Sequence, residues 1–327
     1  MAVTLKDVAR IGGVHVSTVS RAFSAPHLVN PATRERVLAL ARDLGYRPNR
    51  AARALSTRRT GNLGVVVADI ANPFFPPLVK AAQERARERD HHVFIADTDE
   101  RADVEEEAVR SLAGQVDGLV LVSPRAPEQR IRELAAQVPL VIVNRRLRGL
   151  PCVLMDVGRG VGGAVALLAG LGHRDIALVS GPAASWTGRS AARAAASAAR
   201  EHGPRVHRVG PYPPTEEGGA AAFGAVAAVG ATAVLAHNDL VALGLLAAAR
   251  DRGVPVPGRL SVVGVDDTPA ARHTRPALTT VAMPTGDAGR AAVDLLLGGA
   301  GAGTVTLGTR LVERGSTGPA PSRPAQA

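Results

Sequence analysis

From Gly61 onward, short runs of β-branched and aliphatic residues alternate with longer alanine-rich stretches of helical spacing. The runs read as strands at Leu63–Asp69, His92–Asp97, Gly118–Val122, Leu140–Val143, Asp175–Ser180, Val206–Val209, Ala233–Ala236 and Leu260–Val265. Helical patterns lie between them, among them Pro77–Arg89, Val104–Gln115, Arg159–Gly170, Gly188–His202 and Asp239–Arg252. The strand runs are apolar throughout rather than at every second residue. Such a strand is buried on both faces, as in a parallel sheet covered by crossover helices. Eight such units are too many for one small doubly wound sheet and fit two. The expected fold class is therefore α/β, with two doubly wound parallel sheets. The chain is 46% apolar but only 2% aromatic, so the core must be built from Val, Leu and Ala.

The first sixty residues are different. Thr4 is placed to cap a helix, with Asp7 three residues on as a capping box. Leu5, Val8, Ala9 and Ile11 then share one helical face. Gly12-Gly13 breaks that helix, and a second follows with Val16, Val19 and Ser20 alternating against Ser17, Thr18 and Arg21. A third runs from Pro31 to Leu44 with Val37, Leu40 and Ala41 inside, and Gly45 ends it. Two short helices around a glycine turn are the outline of a helix-turn-helix, whose second helix enters the DNA major groove. Charge points the same way. Residues 1–60 carry eleven Lys/Arg against three acids, a net of +8 out of +10 for all 327 residues. A basic excess confined to one small all-α domain is the footprint of a phosphate-backbone partner, double-stranded DNA.

Other function classes find little support. No G-x-S-x-G elbow, H-E-x-x-H pair, Cys/His cluster or G-K-[ST] loop occurs, so neither catalysis, a metal nor a cofactor is expected. A single cysteine, Cys152, excludes a disulfide framework. No run of about 18 apolar residues could span a membrane, and the N-terminus has no apolar signal core, so a cytoplasmic protein is expected.

T-V-S-R at Thr18–Arg21, V-N-P-A-T-R-E-R-V at Val29–Val37 and L-G-Y-R-P-N-R-A-A-R-A-L at Leu44–Leu55 resemble the lactose-repressor/galactose-repressor family of bacterial transcription factors. The similarity runs from Val3 to about Pro319 with the motifs in the family's order. It implies a helix-turn-helix domain at 1–47, a hinge helix at 48–60, a two-lobed domain resembling periplasmic sugar-binding proteins at 61–318, and a disordered tail at 319–327. The first lobe is expected at about 61–156 plus 285–300 and the second at 157–284, with three chain crossings and a ligand cleft between them. Val305–Glu313 reads as one last strand. No leucine heptads follow it, so nothing there builds a coiled coil.

The resemblance also assigns residues. Val16 and Ser17 match the base-reading pair and Arg21 the guanine-reading residue, which agrees with the commonest bidentate base contact. Thr4, His15, Thr18, Ser20 and Asn30 complete the DNA-facing set of the first domain. In the hinge, Asn49, Ala52 and Leu55 lie at helical spacing. Leu55 matches a leucine that wedges into the minor groove when two copies meet on DNA. His15 departs from the family's usual serine, and Gly12 from its usual alanine. His15 can donate a hydrogen bond but is a poorer cap.

For the cleft, Phe74, Phe75, Asn144, Trp186, Arg189, Asn238 and Asp266 match or neighbour effector-contacting positions. Each has a structural alternative. The aromatics can be core, Asp239 can be a helix cap and Asp267 a turn residue. The main departure is Ala191, which stands where relatives carry an arginine that grips the effector; a methyl cannot replace a fork of donors. The expected function is a homodimeric regulator, a repressor on a palindromic operator, governed by a sugar- or nucleoside-like ligand. Two alternatives stay open: a sugar receptor without gene control, and a family regulator with no small-molecule effector.

Overall fold

In the computed structural model the structure describes residues 3–24, 26–46, 59–298 and 303–322. They fall into two units, Met1–Gly61 and Asn62–Ala327.

Among its described residues the first unit holds three α-helices, α1 (Leu5–Gly12), α2 (Val16–Ser24) and α3 (Pro31–Asp43), with a short 3-10 turn at Pro26–Leu28 before α3. Thr4 and Asp7 form the expected capping box: the Asp7 carboxylate accepts from the Thr4 N–H at 3.0 Å, and the Thr4 hydroxyl accepts from the Asp7 N–H at 3.4 Å. Gly13 ends α1 in the left-handed region at φ 61°, where a side chain would be strained. Val8, Ala9, Val19, Ala22, Val37 and Ala41 form the core. Ile11 is not part of it. It is 49% exposed, and the inward position beyond Ala9 belongs to Gly12, where a Cβ would lie 3.1 Å from Leu40. The hinge positions Asn49, Ala52 and Leu55 lie outside the described residues.

Among its described residues the second unit holds two six-stranded sheets. The first lobe contains β1 (Asn62–Val67), β2 (His92–Asp97), β3 (Gly118–Val122), β4 (Leu140–Val143), β5 (Cys152–Asp156) and β11 (Thr304–Gly308). Their order is β11-β5-β4-β3-β1-β2 and every pair is parallel. The second lobe contains β6 (Asp175–Val179), β7 (Arg205–Val209), β8 (Ala233–Leu235), β9 (Ser261–Asp266), β10 (Thr279–Ala282) and β12 (Arg310–Val312). Their order is β12-β10-β9-β8-β6-β7, and β12 alone among them is antiparallel to its neighbour. Strands such as β3 are buried at every residue, as their unbroken apolar sequence requires.

Four strands depart from the sequence expectation. Cys152–Asp156 and Thr279–Ala282 are short, and neither stood out as an apolar run. The single strand expected at Val305–Glu313 is two strands in different sheets, parted at Thr309. Its hydroxyl accepts from the Gly160 N–H at 3.1 Å and donates to the Asp156 carbonyl at 2.6 Å. The chain thus passes between lobes at 156–157, at 282–285 and at 308–310. Of the tail expected to be disordered from 319, residues 319–322 are in place. The Ala320 N–H donates to the Leu171 carbonyl at 2.8 Å. Residues 323–327 lie outside the described residues.

Helices cover both sheets, beginning with α4 (Phe75–Glu88), α5 (Ala102–Ala113), α6 (Glu128–Ala135), α7 (Val157–Gly170) and α8 (Trp186–His202). In the second lobe α9 (Glu216–Ala228) and α10 (Asp239–Asp251) pack backbone to backbone. A Cβ at Gly244 would stand 1.9 Å from the Glu216 carbonyl oxygen, so only glycine permits that approach. β2 is an edge strand, and its Phe94 and Ile95 are 45% and 44% exposed.

Candidate functional site

In the first unit, α2 presents Val16, Ser20 and Arg21 to solvent, while Ser17 and Thr18 are half-buried. His15 precedes the helix as its cap, but not as expected. Its Nδ1 accepts from the Ser17 N–H at 3.2 Å rather than donating, because the first turn of a helix offers bare N–H groups that need an acceptor. The same nitrogen lies 2.7 Å from Ser17 Oγ. Two other predicted contacts are helix caps too. Thr4 begins α1, and the Asn30 side chain accepts from the Ala32 N–H at 3.0 Å at the start of α3.

In the second unit, the strand ends of both sheets meet across a cleft. Backbone strain collects there: Asp99 and Glu100 after β2, Ser123 after β3, Asn144 after β4, and Asp266 with Asp267 at the end of β9 all have positive φ. Non-glycine residues in that region cost energy and cluster where side chains must be aimed. A cavity of about 60 Å³ is lined by Asn72, Phe74, Phe75, Glu100, Ser123, Arg125, Asn144, Ser185, Thr187, His237, Asn238 and Asp266, among others.

The first-lobe wall is held from behind. The buried Glu105 carboxylate accepts from the N–H groups of Arg125 at 2.7 Å and Ala126 at 3.2 Å. Burial pushes its pKa up, against the pull of those two bonds. Arg145, also buried, donates to the Ala126 carbonyl at 2.5 Å. Between them they fix the loop after β3, which puts Arg125 at the cleft. The Arg125 guanidinium forms a two-pronged pair with Glu100 and donates to the Ser123 carbonyl at 2.8 Å. Asn144 Nδ2 donates to Ser123 Oγ at 3.3 Å. Asn144 Oδ1 is buried and has no partner among the described residues.

The second-lobe wall carries the cap of α10. Asn238 Oδ1 accepts from the Val241 N–H at 2.9 Å and Nδ2 donates to the Pro214 carbonyl at 3.0 Å. The cap is therefore Asn238, not Asp239. Asp239 is fully buried and accepts from the Thr268 N–H at 2.7 Å, the Thr268 hydroxyl at 3.0 Å and the Thr280 hydroxyl at 2.6 Å. Burial pushes its carboxyl up to about 6 despite those bonds. Burial, then the charge of Asp239, raises Asp266 well above the usual carboxylate range. His237 packs against Gly181 and Gly188. Burial, then the charge of Arg125, holds its imidazole down to about 4, so it is neutral at pH 7. Asp267 is more than a turn residue, pairing with Arg272 at 3.3 Å and Arg314.

Five of the seven predicted cleft residues, Phe74, Phe75, Asn144, Asn238 and Asp266, line this one cavity. The two phenylalanines are also buried in the apolar core, as the structural alternative for them expected. Two predicted residues do not line it. Trp186 packs against the first lobe's apolar cluster, because the start of α8 (Trp186–His202) abuts that lobe. Arg189 is exposed and donates to the Ala183 carbonyl at 2.7 Å, holding the loop before its own helix. Ala191 borders a smaller space beside His237. The guanidinium in the cleft comes instead from Arg125, across on the other lobe. Arg125, Glu100, Ser123 and His237 were missed, although each sits within a few residues of a strand end. A larger space of about 360 Å³ adjoins on the side of the crossovers and shares Phe74, Asp266 and Met283. Among the described residues no group of His, Cys, Asp or Glu is arranged to hold a metal ion, and no helix is long and apolar enough to cross a membrane.

A family model described as "Bacterial regulatory proteins, lacI family" matches residues 4–49, and one described as "Periplasmic binding protein-like domain" matches residues 165–317. The HTH-type transcriptional regulator GalS of Salmonella typhimurium is 35% identical over 93% of this chain and 92% of its own length. The HTH-type transcriptional repressor CytR of Escherichia coli is 32% identical over 97% of this chain and 96% of its own. The crystal structure of the lac repressor dimer bound to operator and the anti-inducer ONPF superposes with a TM-score of 0.85 at 29% identity, covering 97% of this chain and 100% of that one.

Proposed function

The chain belongs to the lacI family of bacterial regulatory proteins and is a sequence-specific DNA-binding transcriptional regulator; from that premise we propose that it is a homodimeric repressor whose operator affinity is set by a small hydroxylated ligand held between its lobes. One observation carries the DNA reading. A three-helix unit presents Val16, Ser20 and Arg21 from its second helix to solvent, and the sequence through residue 60 holds most of the net positive charge of the chain. Such a helix reads one half-site, so a palindrome read by two copies is the expected target. The edge strand β2, with Phe94 and Ile95 exposed, offers the second copy an apolar seat. Its relatives are regulators rather than enzymes, and the cytoplasm is where its DNA lies.

The ligand reading rests on Asn144. A buried acceptor without a donor costs stability unless something fills the cleft. Asn144 Oδ1 and the Asp266 carboxyl suit hydroxyl or amino groups, as on a sugar or nucleoside. The cavity itself is about 60 Å³, well below the roughly 300 Å³ at which ligand pockets begin, so we infer that a ligand either reaches into the adjoining space of about 360 Å³ or moves the lobes apart. Movement of the lobes is then linked reciprocally to the pairing of two DNA-binding units. A second reading, a family regulator with no small-molecule effector, is favoured by Ala191 and by the commitment of Arg125 to Glu100. Selection from a random duplex library with the full-length protein tests the DNA reading; enrichment of a palindrome is expected. Calorimetry against monosaccharides and nucleosides separates the two ligand readings.

A further inference from the structure

We infer that His15 decides which bases Ser17 can read, by taking the one proton its hydroxyl has. The inference rests on the reading of α2 as the helix that enters the major groove. Ser17 stands in the first turn of α2, where a recognition helix meets base edges. Its N–H donates to His15 Nδ1 at 3.2 Å, and its Oγ lies 2.7 Å from the same atom.

A ring nitrogen that accepts from an amide carries no proton of its own. With Nδ1 accepting, the hydroxyl is the donor in the 2.7 Å contact, and Nε2 is the ring nitrogen left to carry a proton. A serine hydroxyl has one proton and two lone pairs. With the proton held by His15, Ser17 meets a base as an acceptor only.

The major groove makes that restriction informative. Adenine N6 and cytosine N4 are donors there, whereas guanine N7 and O6 and thymine O4 are acceptors. A serine free to rotate pairs with either kind. Ser17 held by His15 pairs with adenine or cytosine on the contacted strand and opposes lone pair to lone pair with guanine or thymine. His15 is thus a positioning residue for base choice as well as the cap of α2. Residue 15 acts on a base it need not touch.

The test uses the full-length protein on the palindrome enriched from a randomised library, with every single-base variant titrated against the wild type, Ser17→Ala and His15→Gly. Glycine is tolerated at a helix cap at small cost and carries no acceptor, so α2 is retained. Circular dichroism checks that it is. The position read by Ser17 is the one whose preference Ser17→Ala abolishes. The wild type is expected to prefer adenine or cytosine there by about fivefold, and His15→Gly to flatten that preference more than the preference at any other position, whatever uniform affinity it loses. Wild-type preference for guanine or thymine at that position, or a preference that survives in His15→Gly, overturns the inference with sequence-specific binding intact. Loss of preference at every position in the wild type would instead overturn the DNA reading beneath it.

Discussion

The Thr187 hydroxyl donates to the Asn144 carbonyl at 3.3 Å, and this bond ties the second lobe to the first at the wall of the cleft. Beside it Trp186 leans on the first lobe's apolar cluster. The two side chains form a clasp on the closed cleft, one polar and one apolar. Thr187→Val keeps the shape and removes the bond, worth about 1 kcal/mol, and should move the closed-to-open ratio about fivefold. A dye pair across the lobes would read it. An unchanged distance distribution would show that Trp186 holds the cleft unaided.

His237 makes stability depend on pH in a defined window. Its imidazole titrates at about 4 when folded, against about 6.5 when the chain is unfolded. Between those values the unfolded state binds more protons, so stability falls as pH drops from 6.5 to 4. Asp239 acts oppositely. Its carboxyl is raised to about 6, so the folded state holds the extra proton and stability falls as pH rises over 4–6. The wild-type profile therefore hides both. His237→Gln removes one of them. Relative to the wild type it should gain on the order of 2 kcal/mol between pH 7 and pH 4, after allowance for the part of the ring that solvent still reaches. Parallel urea midpoints at the two pH values would contradict this.

Unbroken apolar strands announced two parallel sheets because a strand buried on both faces has no choice of composition. Thr279–Ala282, half of it threonine, gives no such signal, and it is a strand because its neighbours supply the ladder. At the cleft, the family resemblance singled out Asn144 and Asp266, and both lie where the rule that sites gather at strand ends expects. Applied to the ends of β2 and β3 it would have found Glu100 and Arg125 as well. Trp186 and Arg189 were misplaced for another reason. Sequence locates the start of α8, but the rotation of that helix against the other lobe is a tertiary fact. Asn238 and Asp239 show the same limit one residue apart. Either could cap, and the burial of Asp239 under Thr268 and Thr280 decides it.

Arg21 is exposed on α2, one turn along from Ser17. A guanidinium there can meet guanine N7 and O6 with two bonds at once. Arg21→Ala is expected to cost about 1–3 kcal/mol of operator affinity and to relax preference at a single base position. The loss should be sequence-dependent, unlike that from removing a phosphate contact such as a solvent-facing arginine of the same unit. Equal weakening on all duplexes in a titration would reassign Arg21 to the backbone.

Asn144 sets stability against binding most directly. Its Oδ1 is buried without a donor, and its backbone sits at φ 60°, where a Cβ is unfavourable. Each feature costs on the order of 1 kcal/mol or more in the empty protein. Against that stands one weak bond to Ser123. Asn144→Gly relieves both costs and gives up that bond and some packing. The empty variant should therefore melt within about 4 °C of the wild type, or above it, since 1 kcal/mol moves a domain of this size by roughly 2–4 °C. Any rise in melting temperature that a monosaccharide or nucleoside gives the wild type should vanish in it, because the acceptor aimed into the cleft is gone. A variant that melts far lower would mean Asn144 is held for packing. One that keeps the ligand-induced rise would mean the ligand is gripped elsewhere in the cleft, with Asp266 the next acceptor to remove.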